Sequence, residues 1–407
     1  MLIAVNCLQA KAPGLDLEAT GAEYKSYFDA NRSNKDINGP RVSDAINNIL
    51  NVGARNLDWF KLINSNRPAN NQLALYTPDT QTGIPIDTPK AYNEETVTTD
   101  YNNLLAGMPV AYKNVLLGTG ALPTTHPFAT DDEYITWARA TDRVYQSASR
   151  WALMEPNLSD LAARSYEDVR GYYFLSKIAD IETQLNGWGT LSTDTQKQYF
   201  PWLVSLCHNS QKDTKICTDE LNSDISSNNV SSYYKTYLPS GQSVYNNFFV
   251  IQVDRADITN WNAQNPNVMG VPFLDPNDDT IKNWLSANIE DEWKWGAWNL
   301  RLNFVTVDNN TTHIRFQPGT TPHVDAVGGS EITMDQNSPL QDYGTRWTIR
   351  HEYGHTLGFP DCYIEFYDTD SKLIINYQLD LADIMCSRKG HVQQRHYDEL
   401  SKHYFHN

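Results

Sequence analysis

Beyond residue 130 the chain takes on a helical rhythm: Tyr134, Trp137, Thr141, Val144, Tyr145, Ala148 and Trp151 follow at helical intervals. Thr130 and Glu133 ahead of them resemble a capping box, so the helix is predicted to start there. A second helical stretch is predicted over residues 159–185. Residues 30–130 are richer in Asn, Pro and Thr, and residues 64–89 read as loops or short elements. Serine and asparagine crowd residues 223–232, and Leu238-Pro239-Ser240-Gly241 follows, which makes this the best linker candidate. No internal repeat or low-complexity tract is evident.

The pattern then changes. Asn247-Phe248-Phe249-Val250-Ile251-Gln252-Val253 reads as a strand rich in β-branched and aromatic residues. Residues 278–295 read as a helix, with Ile281, Trp284, Leu285, Ile289 and Trp293 on one face and acidic residues leading its first turn. Strands are predicted at 300–307, 313–316 and 330–334, a helix from about 342–345 onward, and a closing helix over 392–404. The expected class is α+β: a mainly helical region over 1–240, then a mixed domain over 241–407.

The chemistry concentrates in His351-Glu352-Tyr353-Gly354-His355-Thr356-Leu357-Gly358-Phe359-Pro360-Asp361. On a helix, residues four apart share a face, so His351 and His355 can grip one metal ion side by side. Glu352 is left free to act as a general base toward a water at that metal. A catalytic zinc site needs a third protein ligand and an open position. Gly358 can end the helix, Pro360 blocks a restart, and Asp361 is the predicted third ligand.

This motif, followed by Asp383-Ile384-Met385-Cys386, resembles the metzincin clan of zinc endopeptidases. The resemblance implies a twisted, mostly parallel sheet with a zinc helix and a C-terminal helix, and Met385 in a tight turn beneath the metal, packing without coordinating. It also implies an edge strand before the zinc helix, expected within residues 320–329, that binds an extended peptide by main-chain hydrogen bonds. Gly328-Gly329 would let a peptide backbone approach closely, or would form an ordinary turn; His323 and Asp325 receive no role. Two departures stand out. Asp361 takes the place of the commoner third histidine, as in the snapalysin-like minority, and Ser387 stands where some subfamilies carry a tyrosine. Tyr363, Tyr377 and Tyr397 are substitutes for that tyrosine. Glu365 is the rival third ligand, as in the gluzincin arrangement, while His391 and His396 are nearby histidines read as core or surface groups.

Composition narrows the partners. At 407 residues and 40% hydrophobic, the chain suits two or three domains with buried cores. A formal charge of −17 argues against nucleic acid. An acidic surplus is compatible with calcium, but no calcium-loop motif supports it. No run approaches a transmembrane span. Among the five cysteines, Cys362 and Cys386 adjoin the third-ligand and methionine segments, where a disulfide would tie the site floor together; two buried free thiols are the alternative. Cys207 and Cys217 flank a polar loop and read as a local disulfide, with a thiolate that blocks the metal as the other reading. Cys7 follows Leu2-Ile3-Ala4-Val5-Asn6, reminiscent of a lipoprotein signal, so localisation is expected to be secreted or cell-envelope. The N-terminal region would serve as a pro-segment, a binding module or a structural support. The expected activity is hydrolysis of peptide bonds in a protein or peptide substrate. The rivals are a metallopeptidase-like surface or polymer binder and a zinc hydrolase of a non-peptide amide or ester.

Overall fold

The computed structural model describes residues 20–25 and 43–406, so Cys7 lies outside the described residues. The first long helix, Asp44–Ser65, starts where the Ser43 side chain accepts from the Ile46 amide at 3.2 Å. It buries Ile46, Ile49, Leu50, Trp59, Phe60 and Ile63 at helical spacing. Asn48 and Asn51, set between these positions, lie on its outer face. It packs against Asp131–Met154, whose cap is Thr130 accepting from the Glu133 amide at 3.2 Å. Beyond the helix end at Ser65, the segment up to residue 89 holds 3-10 turns, loops and one isolated bridge from Pro85 to Gln378, as expected of short elements.

The predicted helix over 159–185 is broken into Leu158–Ala163, Arg170–Leu175 and Ile181–Asn186 with turns between. Helices Thr193–Gln211, Thr214–Ser226 and Val230–Asn247 follow, and a disulfide between Cys207 and Cys217 ties the first two. The expected linker at 223–232 is corrected to one helix end, a turn with Asn228 at φ +56°, and the next helix start. Pro239 sits inside the last helix. Gly241 lets that helix approach its neighbour, since a β-carbon there would meet Leu206 Cδ1 at 2.3 Å.

That helix continues through Asn247, so the strand predicted over 247–253 is also corrected: 248–253 is an irregular bend. The apolar residues there pack against the loop that follows the motif helix. Ile251 is buried, and its Cγ2 lies 2.8 Å from where a β-carbon on Gly358 would be.

The strands expected at 300–307, 313–316 and 330–334 formed, and so did a short one within 320–329, while five more appear that the pattern did not announce: β1 is Lys90–Tyr92, β2 Val268–Leu274, β3 Lys294–Trp295, β4 Trp298–Val305, β5 His313–Gln317, β6 His323–Val324, β7 Glu331–Asp335, β8 Tyr363–Asp368 and β9 Leu373–Gln378. β2 runs parallel to β4, β5 parallel to β7, and β3 and β6 pair antiparallel at the two outer positions. A parallel bridge between Phe273 and Thr312 carries β2 over to β5, so the spatial order reads β3-β4-β2-β5-β7-β6. The helix predicted over 278–295 is shorter, Asp279–Leu285 plus a π turn at Ser286–Glu290, because Lys294 and Trp295 are drawn into the sheet as β3. A separate antiparallel sheet has the order β1-β9-β8. β1 comes from the helical half of the sequence and pairs Ala91 with Ile375.

The motif helix, Tyr343–Thr356, lies on the larger sheet. One core joins them, with Phe273, Trp293, Leu300, Tyr353, Ile384 and Met385 all buried. The last helix, Gln394–Tyr404, closes over this core, and its Tyr404 hydroxyl donates to the Leu357 carbonyl at 2.9 Å. The molecule is therefore a mixed helix and sheet protein of the α+β class.

Candidate metal centre

Tyr353 and Thr348 face inward along the motif helix, and one turn of that helix brings His351 and His355 together with ring centroids 4.7 Å apart. The helix ends where expected. Gly358 adopts φ +95°, and a β-carbon on it would lie 2.2 Å from the Val253 carbonyl oxygen, so glycine is required on both counts. The reversed chain delivers Asp361. Its Oδ1 lies 3.1 Å from His351 Nε2 and 3.2 Å from His355 Nε2, and the two Nε2 atoms are 3.1 Å apart.

These three edges can be tested against a metal. Bonds of about 2.0–2.1 Å in tetrahedral geometry separate ligand atoms by roughly 3.3 Å, close to the spacing found. The donor chemistry agrees. His351 Nδ1 donates to the Ile384 carbonyl and His355 Nδ1 to the Phe359 carbonyl, each at 2.9 Å, which leaves both Nε2 lone pairs facing the centre. His351, His355 and Asp361 thus form a group that could hold a metal ion. Asp361 keeps 34% of its side chain exposed whereas His351 keeps 3%, so the approach is from the aspartate side.

Without an ion the same three groups behave as a charge cluster. Burial would raise the Asp361 carboxyl, but the His355 and His351 imidazoles outweigh it and hold the group far below its ordinary range. Burial would lower His355, yet Asp361 pushes it up to about 9. Such a preorganised negative charge between two imidazoles favours a cation in place of the protons. Glu352 differs: burial pushes its carboxyl above the usual range, with the two imidazoles opposing.

Glu352 points to a cavity of about 10 Å³ bordered by Thr321, Pro322, Trp347, Arg388 and Glu23. That is room for about one water. β6 begins two residues beyond Thr321, so the antiparallel edge of the sheet borders the glutamate. Gly328 has φ +76° and its amide donates to the His355 carbonyl at 2.7 Å, so the Gly328-Gly329 turn buttresses the helix end.

Met385 lies under the helix. Its sulfur packs against Gly354, its amide donates to Asp383 Oδ1 at 2.6 Å, and its carbonyl accepts from the Cys362 amide at 3.1 Å. Cys362 and Cys386 are disulfide-bonded, as anticipated. Comparison of the chain with family models, with curated proteins and with solved structures found no match. The site therefore rests on its own residues.

Several candidates fall away. Glu365 is bound by Arg150 at 2.9 and 2.5 Å and by the Tyr92 hydroxyl at 3.1 Å, which removes the rival third ligand. Tyr377 donates to Asp168 at 2.8 Å, and Tyr397 packs on Trp261 and Trp298. His391 is exposed beside Glu292; His396 is buried against Asp383 at 3.2 Å. Ser387 is fully buried. His323 donates its Nδ1 proton to the Thr321 carbonyl, and Asp325 accepts from the Glu331 amide. Cys207 and Cys217 are consumed by their disulfide, so neither offers a thiolate.

Sequence reasoning missed the supports. Trp347 stacks on His351 with centroids 4.8 Å apart, Arg388 lies 5.1 Å over Trp347, and Glu23 pairs with Arg388 at 2.9 Å. Asp383 holds Met385, Arg395 and His396 at once. Trp347 lies four residues before His351, the helical spacing that predicts their stacking; nothing in the sequence announces Glu23.

Proposed function

We propose that this chain is a zinc-dependent endopeptidase of metzincin-like design, secreted or placed at the cell envelope. The reading rests chiefly on the meeting of His351, His355 and Asp361 with edges of 3.1 to 3.2 Å and both Nδ1 protons committed to carbonyls. Four parallel strands with an antiparallel edge strand ahead of the motif helix support it, as does Met385 beneath that helix. Two disulfides suit an oxidising compartment. No helix among the described residues is long and apolar enough to cross a membrane.

His351, His355 and Asp361 would hold the ion. Bound there, zinc supplies Lewis acidity, polarising a scissile carbonyl and acidifying water. Glu352, buried beside the two imidazoles, would take the proton of the attacking water and return it to the leaving amine. β6 is the outer strand of its sheet among the described residues, and its edge would receive an extended peptide beside that carboxyl. The two imidazoles are kept in their metal-facing tautomer by the Ile384 and Phe359 carbonyls.

The test compares the wild type with Glu352→Ala for zinc content and for cleavage of casein and gelatin. Both should hold one zinc, and only the wild type should cleave. Equal zinc with no cleavage by the wild type across diverse peptides would sink the protease reading in favour of a binding protein or of a hydrolase acting on non-peptide amides or esters.

A further inference from the structure

A second concavity lies away from the metal ligands, where the helix Asp131–Met154 faces β1 and the loop around Tyr76–Ile84. It encloses about 350 Å³ and is lined by Lys90, Arg143 and Arg150 against a single carboxylate, Asp100. That volume is in the range of small-molecule sites. The chain as a whole carries a formal −17, so a local excess of cations inside one cavity runs against its general charge.

The three cations are not equivalent. Arg150 is already neutralised by Glu365 behind the wall. Lys90 is not: its ammonium donates to Ser147 Oγ at 2.6 Å, and it forms no ion pair with any described residue. Burial lowers its pKa, with Asp100 only partly compensating. Arg143 is exposed and likewise forms no ion pair among the described residues. Holding a partly buried ammonium with no carboxylate in contact, only Asp100 at longer range, is costly, and an incoming anion in contact with it would offset that cost. The remaining wall is polar, with the Gln146 amide and the Tyr76 hydroxyl held in place by Asp142, each at 2.7 Å.

We propose that this cavity binds a small organic anion, a carboxylate or a phosphate monoester, with its acidic head on Lys90 and Arg143 and a polar body along Tyr76 and Gln146. The site is separate from the metal centre and does not depend on its chemistry.

Isothermal titration of the full chain at constant ionic strength, with inorganic phosphate and succinate as probes against a chloride reference, tests it. Saturable one-to-one binding of at least one probe is expected, weakened tenfold or more in Lys90→Met and in Arg143→Gln with zinc content unchanged. Binding of phosphate alone assigns a phosphate monoester, and of succinate alone a carboxylate. Arg143→Gln, at an exposed position, keeps the test open should Lys90→Met fail to fold. Absence of saturable binding for both probes, or affinities unchanged in the folded variants, overturns the proposal.

Discussion

The sulfur of Met385 lies 2.3 Å from the point where a β-carbon on Gly354 would stand, with Trp293 Cζ2 at 2.9 Å on the other side. The motif helix can therefore rest on the methionine turn only because residue 354 has no side chain. Ala is normally the better helix former by about 1 kcal/mol. Here overpacking should reverse that sign. Gly354→Ala is expected to lower stability by about 1–3 kcal/mol and to weaken zinc binding, read by thermal unfolding and metal titration. A more stable variant with intact zinc affinity would show that Met385 is not a rigid floor.

Asp361→Ala should abolish stoichiometric zinc at neutral pH while leaving the fold in place, since the aspartate is partly exposed and carries no backbone role among the bonds described. Glu365 cannot substitute, because Arg150 and Tyr92 hold it. Glu365→Gln should leave zinc content unchanged but destabilise the protein by about 3–5 kcal/mol through the orphaned Arg150 charge. Metal analysis by mass spectrometry and denaturant titration separate the two effects.

The Cys362 to Cys386 bond joins the third-ligand segment to the methionine turn across 24 residues of sequence. Loop-closure entropy for such a length predicts a loss of about 3 kcal/mol in the double Cys→Ala variant. Zinc affinity should fall as well, because the Met385 carbonyl and the Cys362 amide bond each other beside the bridge. Urea midpoints and competitive chelation measure both.

Asp142 offers a pH test remote from the metal. Burial pushes its carboxyl up to about 6 from an ordinary 3.8, despite hydrogen bonds from Tyr76 and Gln146. A folded pKa above the unfolded one means that the native state holds the proton more tightly. The contribution is fully present below about pH 4 and is lost as pH rises through about 6. Its span is about 3 kcal/mol. Asp142→Asn should gain stability relative to the wild type by that amount between pH 4 and 7. A flat difference across this window would count against a raised pKa.

Much of the site was legible from residues alone, and the reason is local. Helical spacing puts His351 and His355 on one face, glycine at 358 permits the reversal, and Asp361 follows within reach. The strands β4, β5 and β7 were legible too, because their alternation is carried within each segment. Failures came where neighbours decided. Residues 247–253 have strand-like composition yet continue a helix and then bend beneath Gly358. Pro239-Ser240-Gly241 has breaker composition yet lies inside a helix, where the glycine serves close packing against Leu206.

The sequence by itself determined which side chains can meet around a metal, their order and the turn that brings them round, since these follow from backbone periodicity and the conformational range of glycine. Tertiary structure decided the rest. It chose Asp361 over Glu365 by giving the latter to Arg150, set the imidazole tautomers with carbonyls from 359 and 384, and placed Glu23 beside Arg388 across most of the chain. Those choices depend on desolvation and distance between residues far apart in sequence, which no local pattern encodes.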